Sequence, residues 1–279
     1  MDAGWLERDG VRLRWRQWGP ASARPVFCLH GLRSNSLYWT RLADRLPDHH
    51  VVAIDQRSHG QSGRPDSGYT FADLTGDALF AVDQLELDRP LVLGHSWGAA
   101  VAQALVAGHR ERFAGLGHLD GILRSFSKLM SWDQASVLMQ PPLRHYADLA
   151  EAVAEQKTYL ETGWGDDLAD FVQAGLVEDG AGFALTLTAE VRLQILLELY
   201  AFDPEQLWPA LQRVPVLIAV AQQGPPPILS WKEQSVQEVA RLLPDADIRW
   251  FPSAHDIPLH LPDEVAAAVR ELYDRVPAA

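Results

Sequence analysis

Short runs of apolar residues recur along the chain, and each is long enough for one buried strand. Runs without a polar interruption, rich in β-branched residues, are typical of strands that are covered on both faces. They lie at 26–29, 51–54, 91–93, 114–119, 216–221 and 248–251. Segment 11–18 instead alternates polar and apolar residues, which predicts an exposed antiparallel edge strand.

Longer segments between these runs have the periodicity of amphipathic helices. They lie at 37–46, 71–87, 99–107, 231–243 and 262–273. In the last segment Val265, Val269 and Leu272 recur at helical spacing, which places them on one buried face. Because strands and helices alternate, the sequence predicts an α/β fold whose sheet is mostly parallel and covered by helices on both faces.

One interval, 122–207, lacks a clear buried strand. Its helical patterns are interrupted at Pro141-Pro142 and at Gly163-Trp164-Gly165. We interpret this interval as a helical cap packed over the sheet, which leaves residues 1–121 and 208–279 as the core domain. A structural appendage unrelated to any site is the alternative.

Composition and charge exclude several classes of function. Lys and Arg number 24 against 37 Asp and Glu, and the formal net charge is −13 at pH 7. Nucleic-acid binding requires clustered basic residues, so we expect no nucleic-acid partner. The single cysteine, Cys28, excludes an internal disulfide framework and a cysteine-based zinc site.

The sequence also gives expectations about location and partners. No apolar run reaches the ~18 residues of a membrane span. Residues 1–5 lack the basic and apolar regions of a signal peptide. We therefore expect a cytoplasmic protein that acts on a small-molecule substrate, without a membrane partner, a cofactor or a metal.

The most informative motif is Gly94-His95-Ser96-Trp97-Gly98, which follows the run 91–93 and precedes a helix of small residues. A G-x-S-x-G motif in this context permits a very sharp turn with the serine at its apex, because the glycines carry no side chain that would collide. The serine then lies at a helix N-terminus, where backbone N–H groups stabilise a developing negative charge. Ser96 is therefore the candidate nucleophile. The alternative is a Gly-Ser turn that only caps the helix.

A serine nucleophile needs a base, and position selects His255 among the ten histidines. His255 follows the last strand run, 248–251, through a short loop. It therefore lies at the carboxyl end of the sheet, where the active sites of open α/β sheets gather.

Three further motifs complete a resemblance to the α/β-hydrolase fold. His30-Gly31 is similar to the oxyanion-loop motif of that family. Residues 55–62 (DQRSHGQS) resemble its D-x-R-G-x-G-x-S loop, with Ser58 where glycine is usual. Residues 254–256 (AHD) resemble its terminal G-H-D, with alanine in place of the glycine. The resemblance extends over nearly the whole chain outside the interval 122–207.

This resemblance implies a sheet of about eight strands. It also implies a helical cap inserted between the strand that ends at Leu119 and the strand 216–221. The backbone N–H groups of Leu32 and Trp97 are implied to form the oxyanion hole, and we place His30 beside the substrate pocket.

The acid that orients the histidine is the least regular part of the pattern. In most relatives it follows the strand that corresponds to 216–221, but residues 222–227 (QQGPPP) contain no carboxylate. Asp120 ends the neighbouring strand run, a position that some family members use. We therefore favour Asp120 over Glu233, the first carboxylate downstream, and over the absence of any acid. The alternative interpretation of Asp120 is a turn residue before Gly121.

These residues predict acyl transfer. His255 removes the proton of Ser96, whose oxygen attacks a carbonyl, and the resulting acyl-enzyme is hydrolysed by water. A serine at this position argues against the epoxide and haloalkane branches of the family, because they need an aspartate there.

The ten tryptophans suggest the kind of substrate. Trp39, Trp97, Trp132 and Trp164 lie in the cap interval or near the predicted mouth of the site. Together they predict a flat, apolar pocket for an aromatic or cyclic ester or lactone. The equal alternative is that these side chains fill the core.

Two other functions stay open at this point. One is a cofactor-independent dioxygenase of heteroaromatic, quinolone-type rings, a branch of the same fold in which the acid also follows the earlier strand. The other is a non-catalytic receptor that uses the pocket only to bind a small molecule.

Overall fold

An eight-stranded sheet forms the centre of the computed structural model, which describes residues 1–139 and 142–277. Three further strands form a separate small sheet. In chain order the strands are β1 (Asp2–Arg8), β2 (Val11–Trp18), β3 (Arg24–Leu29), β4 (His49–Ile54), β5 (Leu91–His95), β6 (Gly115–Leu119), β7 (His145–Tyr146), β8 (Leu176–Glu178), β9 (Phe183–Leu185), β10 (Val216–Ala221) and β11 (Asp247–Phe251).

The order of the large sheet is β1-β2-β4-β3-β5-β6-β10-β11. Strand β2 is antiparallel to both of its neighbours. The remaining neighbours in this sheet, in the order β4-β3-β5-β6-β10-β11, pair in parallel. The predicted mostly parallel α/β sheet is therefore confirmed. The prediction that segment 11–18 is an edge strand was wrong, because β1 pairs along its full length.

Helices cover both faces of this sheet. The helices of the described residues are α1 (Thr40–Asp44), α2 (Phe71–Gln84), α3 (Trp97–Gly108), α4 (Trp132–Met139), α5 (Leu149–Leu160), α6 (Ala169–Ala174), α7 (Ala189–Ala201), α8 (Pro226–Leu242), α9 (Ile257–His260) and α10 (Pro262–Asp274), of which α4 to α7 belong to the interval 122–207. None of the helices within the described ranges combines the length and the apolar character that crossing a bilayer requires.

Strand β10 shows why the interior strands read as unbroken apolar runs. Its residues Ile218 and Val220 join the cluster formed with α2 and α3, whereas Leu217 and Ala219 join the cluster formed with α1 and α10. Since successive side chains of a strand point to opposite faces, a strand with two buried faces has no polar position.

The interval 122–207 contains helices α4 to α7 and a small sheet of order β7-β9-β8. The sequence predicted only helices here. The strands are two or three residues long and mostly half-exposed, so they leave no buried run in the sequence. The break at Gly163-Trp164-Gly165 falls between two short 3-10 turns. Pro141 lies outside the described residues, and the boundaries of the cap stay a prediction.

Candidate active site

Ser96 occupies a sharp turn between β5 and α3. Its φ of +55° and ψ of −120° are unfavourable for a residue with a side chain, so the surrounding structure must hold it there. Glycine is required at both flanking positions because a side chain there would collide with backbone atoms. A Cβ on Gly94 would lie 2.3 Å from the carbonyl oxygen of Gly98, and one on Gly98 would lie 2.3 Å from that of Leu29. This close packing of helix against strand places Ser96 at the N-terminal end of α3.

His255 approaches Ser96 from the loop after β11. Its Nε2 lies 2.9 Å from Ser96 Oγ, which is hydrogen-bonding distance. The carbonyl of His255 accepts a hydrogen bond of 3.0 Å from Nε2 of His95, the residue before the serine. The backbone of the histidine loop is thereby tied to the turn that carries Ser96.

Asp120 completes the hydrogen-bonded chain at the end of β6. Its Oδ2 lies 2.7 Å from His255 Nδ1, and its Oδ1 accepts a hydrogen bond of 2.9 Å from the amide of Ala221. The side chain is almost fully buried. The structure therefore brings the three residues singled out from sequence into one line. The alternative acid, Glu233, lies on α8 in a separate cavity beside Trp250.

Lys232 is a fourth member of this arrangement that sequence reasoning missed. Its Nζ lies 2.8 Å from each carboxylate oxygen of Asp120 and 3.2 Å from the carbonyl oxygen of Ala221. Burial opposes ionisation of Asp120, but the hydrogen bonds and charges of His255 and Lys232 prevail and lower its pKa to about 2. Asp120 is thus a carboxylate over the whole physiological range.

The pKa of His255 is raised above its ordinary value. Desolvation lowers it, but the hydrogen bond and charge of Asp120 raise it more, with a further contribution from Asp256. The charge of Lys232 acts in the opposite direction. Because Asp120 accepts at Nδ1, the neutral imidazole presents an unprotonated Nε2 to Ser96, which is the tautomer that a general base needs.

The predicted oxyanion donors border the serine. Trp97 is the first residue of α3, where backbone N–H groups have no acceptor within the helix. Leu32 follows Gly31, whose Cβ position would be 3.1 Å from Ser96 Cβ, so this loop passes directly over Ser96. Leu32 also lines the cavity above Ser96.

His30 supports this loop and does not line the cavity, so its predicted place in the pocket was wrong. Its ring is fully buried and its Nε2 accepts a hydrogen bond of 3.0 Å from the amide of Gln56. Its Nδ1 lies 2.7 Å from the carbonyl oxygen of Gly31. Burial lowers the pKa of His30 to about 4, so it is a neutral structural side chain.

The loop 55–62 fixes the same region from the other side. The carboxylate of Asp55 accepts hydrogen bonds from the amides of Ser36 and Gln61, at 2.7 and 2.8 Å. Ser58, which replaces the usual glycine, adopts a φ of +62° and its hydroxyl bonds to that of Tyr69. The left-handed backbone is therefore kept despite the substitution.

A cavity of about 350 Å³ opens above Ser96 and His255. Its apolar and aromatic wall comes from both the sheet side and the interval 122–207. These side chains are Leu32, Tyr38, Tyr146, Ala152, Tyr159, Leu160, Phe171, Val172, Leu176, Leu185 and Leu259. Its charged side chains are Arg33, Glu155 and Asp256.

The four tryptophans predicted for the pocket lie elsewhere. Trp39 is fully buried in the core, and Trp97 stacks on His59. Trp132 packs edge-on against Tyr200, and Trp164 packs partly buried against two hydrophobic clusters. An aromatic ring suits the core and a pocket equally well, so residue type alone could not separate the two locations.

The described ranges hold no group of three or more His, Cys, Asp or Glu side chains that could bind a metal ion. The side chains that the structure brings together above the sheet are Asp120, His255 and Ser96. This arrangement can activate a hydroxyl for attack on a carbonyl carbon.

The family model for the alpha/beta hydrolase fold matches residues 24–257. The chain therefore belongs to this family, and the protein is an α/β-hydrolase. It is similar to lipase LipV of Mycobacterium tuberculosis, with 28% identity over 93% of this chain and 97% of the lipase.

Two other comparisons are narrower or more distant. A putative 2-succinyl-6-hydroxy-2,4-cyclohexadiene-1-carboxylate synthase of Bacillus subtilis is 33% identical over 39% of this chain, and the match spans 40% of the synthase. The thioesterase domain from the curacin biosynthetic pathway superposes with a TM-score of 0.81 at 19% identity, over 97% of this chain and 99% of that domain. The second likeness shows a shared fold.

Proposed function

We propose that the protein is a serine hydrolase that cleaves a carboxylic ester or lactone through an acyl-enzyme on Ser96. One observation carries this proposal. A continuous hydrogen-bonded line runs from Asp120 through His255 to Ser96, with heavy-atom distances of 2.7 and 2.9 Å, and it ends at the floor of a cavity. Nucleophile, base and orienting acid have the geometry that acyl transfer needs.

In the first half of the reaction His255 Nε2 takes the proton of Ser96 as its oxygen attacks the substrate carbonyl. The carbonyl π electrons move to the oxygen, and the amides of Leu32 and Trp97 hold the resulting oxyanion. When the tetrahedral intermediate collapses, His255 gives its proton to the leaving alcohol and the acyl group stays on Ser96.

In the second half water replaces the alcohol. His255 removes one proton from the water as it attacks the acyl-enzyme, and the same amides hold the second oxyanion. Collapse of this intermediate returns the proton to Ser96 and releases the carboxylic acid. Asp120 stays ionised throughout and stabilises the imidazolium that forms twice per turnover.

The cavity supports a small substrate with apolar or aromatic character. Its volume of about 350 Å³ is at the lower end of the range of small-molecule sites. Aromatic contact comes from Tyr38, Tyr146, Tyr159 and Phe171. We therefore extend the proposal to small aryl esters and lactones.

A fluorophosphonate probe tests this function most simply. It should form one covalent adduct, which peptide mass spectrometry locates at Ser96, and the adduct should be absent in Ser96→Ala. Both Ser96→Ala and His255→Ala should lose nearly all turnover of aryl esters. If Ser96→Ala keeps most of the turnover while His255→Ala abolishes it, the acyl-enzyme mechanism is wrong. Oxygen uptake with a hydroxyquinolone would then identify the dioxygenase.

A further inference from the structure

Arg33 lines the cavity above Ser96, and within the described residues it has no acidic partner. Arg33 follows Leu32 in the loop that passes over Ser96, and its φ is +65°. The side chain is half-buried, and its Nε is enclosed without a hydrogen-bond acceptor. In the part of the chain that the structure describes, no carboxylate forms an ion pair with it.

Two carboxylates also line this cavity, but each has other partners. Glu155 Oε2 lies 3.2 Å from Arg144 Nε. Asp256 faces the hydroxyl of Tyr159, and its charge is the largest cause of the raised pKa of Tyr159. Neither of these two described carboxylates forms an ion pair with Arg33.

A second cation, on a helix of the interval 122–207, is affected by the charge of Arg33. Arg192 lies on α7 and is only 5% exposed. Burial, and after it the charge of Arg33, lowers the pKa of Arg192. Like charges repel, so an anion bound at Arg33 reduces the unfavourable effect of its charge on Arg192. The neighbouring apolar side chains, such as Leu160 and Phe171, strengthen the attraction because they exclude water.

We propose that Arg33 binds a carboxylate carried by the substrate, so that the enzyme hydrolyses esters or lactones with a free carboxylate group. This inference rests on the proposed function, because it places the reacting carbonyl at Ser96. The planar guanidinium presents two donors that match the two oxygens of a carboxylate. Arg33 and Ser96 line one cavity of about 350 Å³, so one small substrate reaches both.

Two matched pairs of substrates isolate the charge. The first pair, 4-nitrophenyl hydrogen adipate and 4-nitrophenyl adipamate, carries a carboxylate or a carboxamide on the acyl side. The second pair, 4-acetoxybenzoate and 4-acetoxybenzamide, carries the same groups on the leaving side. In at least one pair the wild type should prefer the carboxylate by roughly 10- to 100-fold in kcat/KM.

The Arg33→Met variant should lose this preference, because its KM for the carboxylate substrate rises much further than its KM for the matched amide. Arg33→Lys should keep part of the preference, because it keeps the charge and loses the planar array of donors. Arg64→Met is the matched control, since Arg64 is exposed and lies outside the cavity. Equal kcat/KM values within both pairs, or a preference that survives Arg33→Met, would overturn the proposal.

Failure of the proposed function would be visible separately, as absence of a fluorophosphonate adduct at Ser96 and of turnover of all four esters. In that case calorimetric titration with adipate and with adipamide still tests whether Arg33 binds a carboxylate. Selective binding of adipate that Arg33→Met abolishes supports the anion site. If adipate does not bind, or if Arg33→Met binds it as the wild type does, the anion-site proposal is overturned.

Discussion

Lys232 Nζ lies 2.8 Å from both carboxylate oxygens of Asp120, so one carboxylate serves a lysine and His255 together. Asp120 follows β6, whereas the loop after β10 contains no acid. Lys232 on α8 contacts both oxygens of this carboxylate and lowers its pKa. A buried ion pair of this kind is stable only when its hydrogen bonds are satisfied, and here the amide of Ala221 supplies another.

We expect Lys232→Met to move the acid limb of the kcat/KM profile to higher pH. The charge of Lys232 lowers the pKa of His255. Without that charge the pKa of His255 is higher, so a higher pH is needed to form the neutral imidazole that acts as the base. Lys232→Arg should keep the wild-type limb, and Lys128→Met is the control on an exposed lysine. An unchanged limb in Lys232→Met would show that Lys232 has only a structural role.

The line of catalytic candidates could be proposed from sequence because each member follows a strand directly or through a short loop. Ser96 follows β5, Asp120 follows β6 and His255 follows β11, and the carboxyl ends of parallel strands meet at one edge. Lys232 has no such signal. It lies inside a helical pattern, and its contact with Asp120 joins positions 112 residues apart in the chain. Only the packing of α8 reveals it.

The strands that sequence missed are those with few or no buried positions. Strand β10 is buried on both faces, so its sequence is a continuous apolar run. Strand β1 has exposed or half-exposed positions only, and the three strands of the small sheet have one buried position, Tyr146. Their pairing follows from tertiary packing, which leaves little pattern in the residues themselves.

Asp120→Asn should lower kcat by roughly 10⁴-fold, because an amide neither fixes the tautomer of His255 nor stabilises the imidazolium. Steady-state kinetics on an aryl ester measures the loss, and circular dichroism establishes that the variant is folded. Glu233→Gln serves as the control and should keep wild-type rates. A near-normal rate for Asp120→Asn, with a large loss for Glu233→Gln, would transfer the role of acid to Glu233.

Gly98→Ala should destabilise the protein by about 2 kcal/mol or more and remove most activity. Its Cβ would lie 2.3 Å from one backbone carbonyl oxygen and 2.4 Å from the next, so α3 would have to move away from β3. Gly108→Ala, in the same helix, is the matched control because nothing lies within 4 Å of its Cβ position. Urea unfolding of both variants measures the difference. Equal stabilities would contradict the close approach that positions Ser96.

Stability should fall as the pH drops from about 6.5 towards 4, because buried neutral histidines must gain protons. Burial lowers the pKa of His30, His95 and His118 to about 4 and that of His59 to about 3, from an ordinary value of 6.5. The contribution of these histidines to the free energy of unfolding is complete above pH 6.5 and is lost progressively below that pH. Urea unfolding between pH 7 and pH 5 measures the slope, which His118→Leu should reduce. An identical slope in that variant would mean that His118 takes up no extra proton on unfolding.

The most direct test of the acyl-enzyme is a rapid-quench experiment with a 4-nitrophenyl ester. We predict a burst of one 4-nitrophenol per active site and, in the quenched sample, a peptide that contains Ser96 with the mass of one acyl group. The burst and the acylated peptide should both disappear in Ser96→Ala. Steady turnover by the wild type with no acyl group on Ser96, or full turnover by Ser96→Ala, would contradict covalent catalysis by this residue.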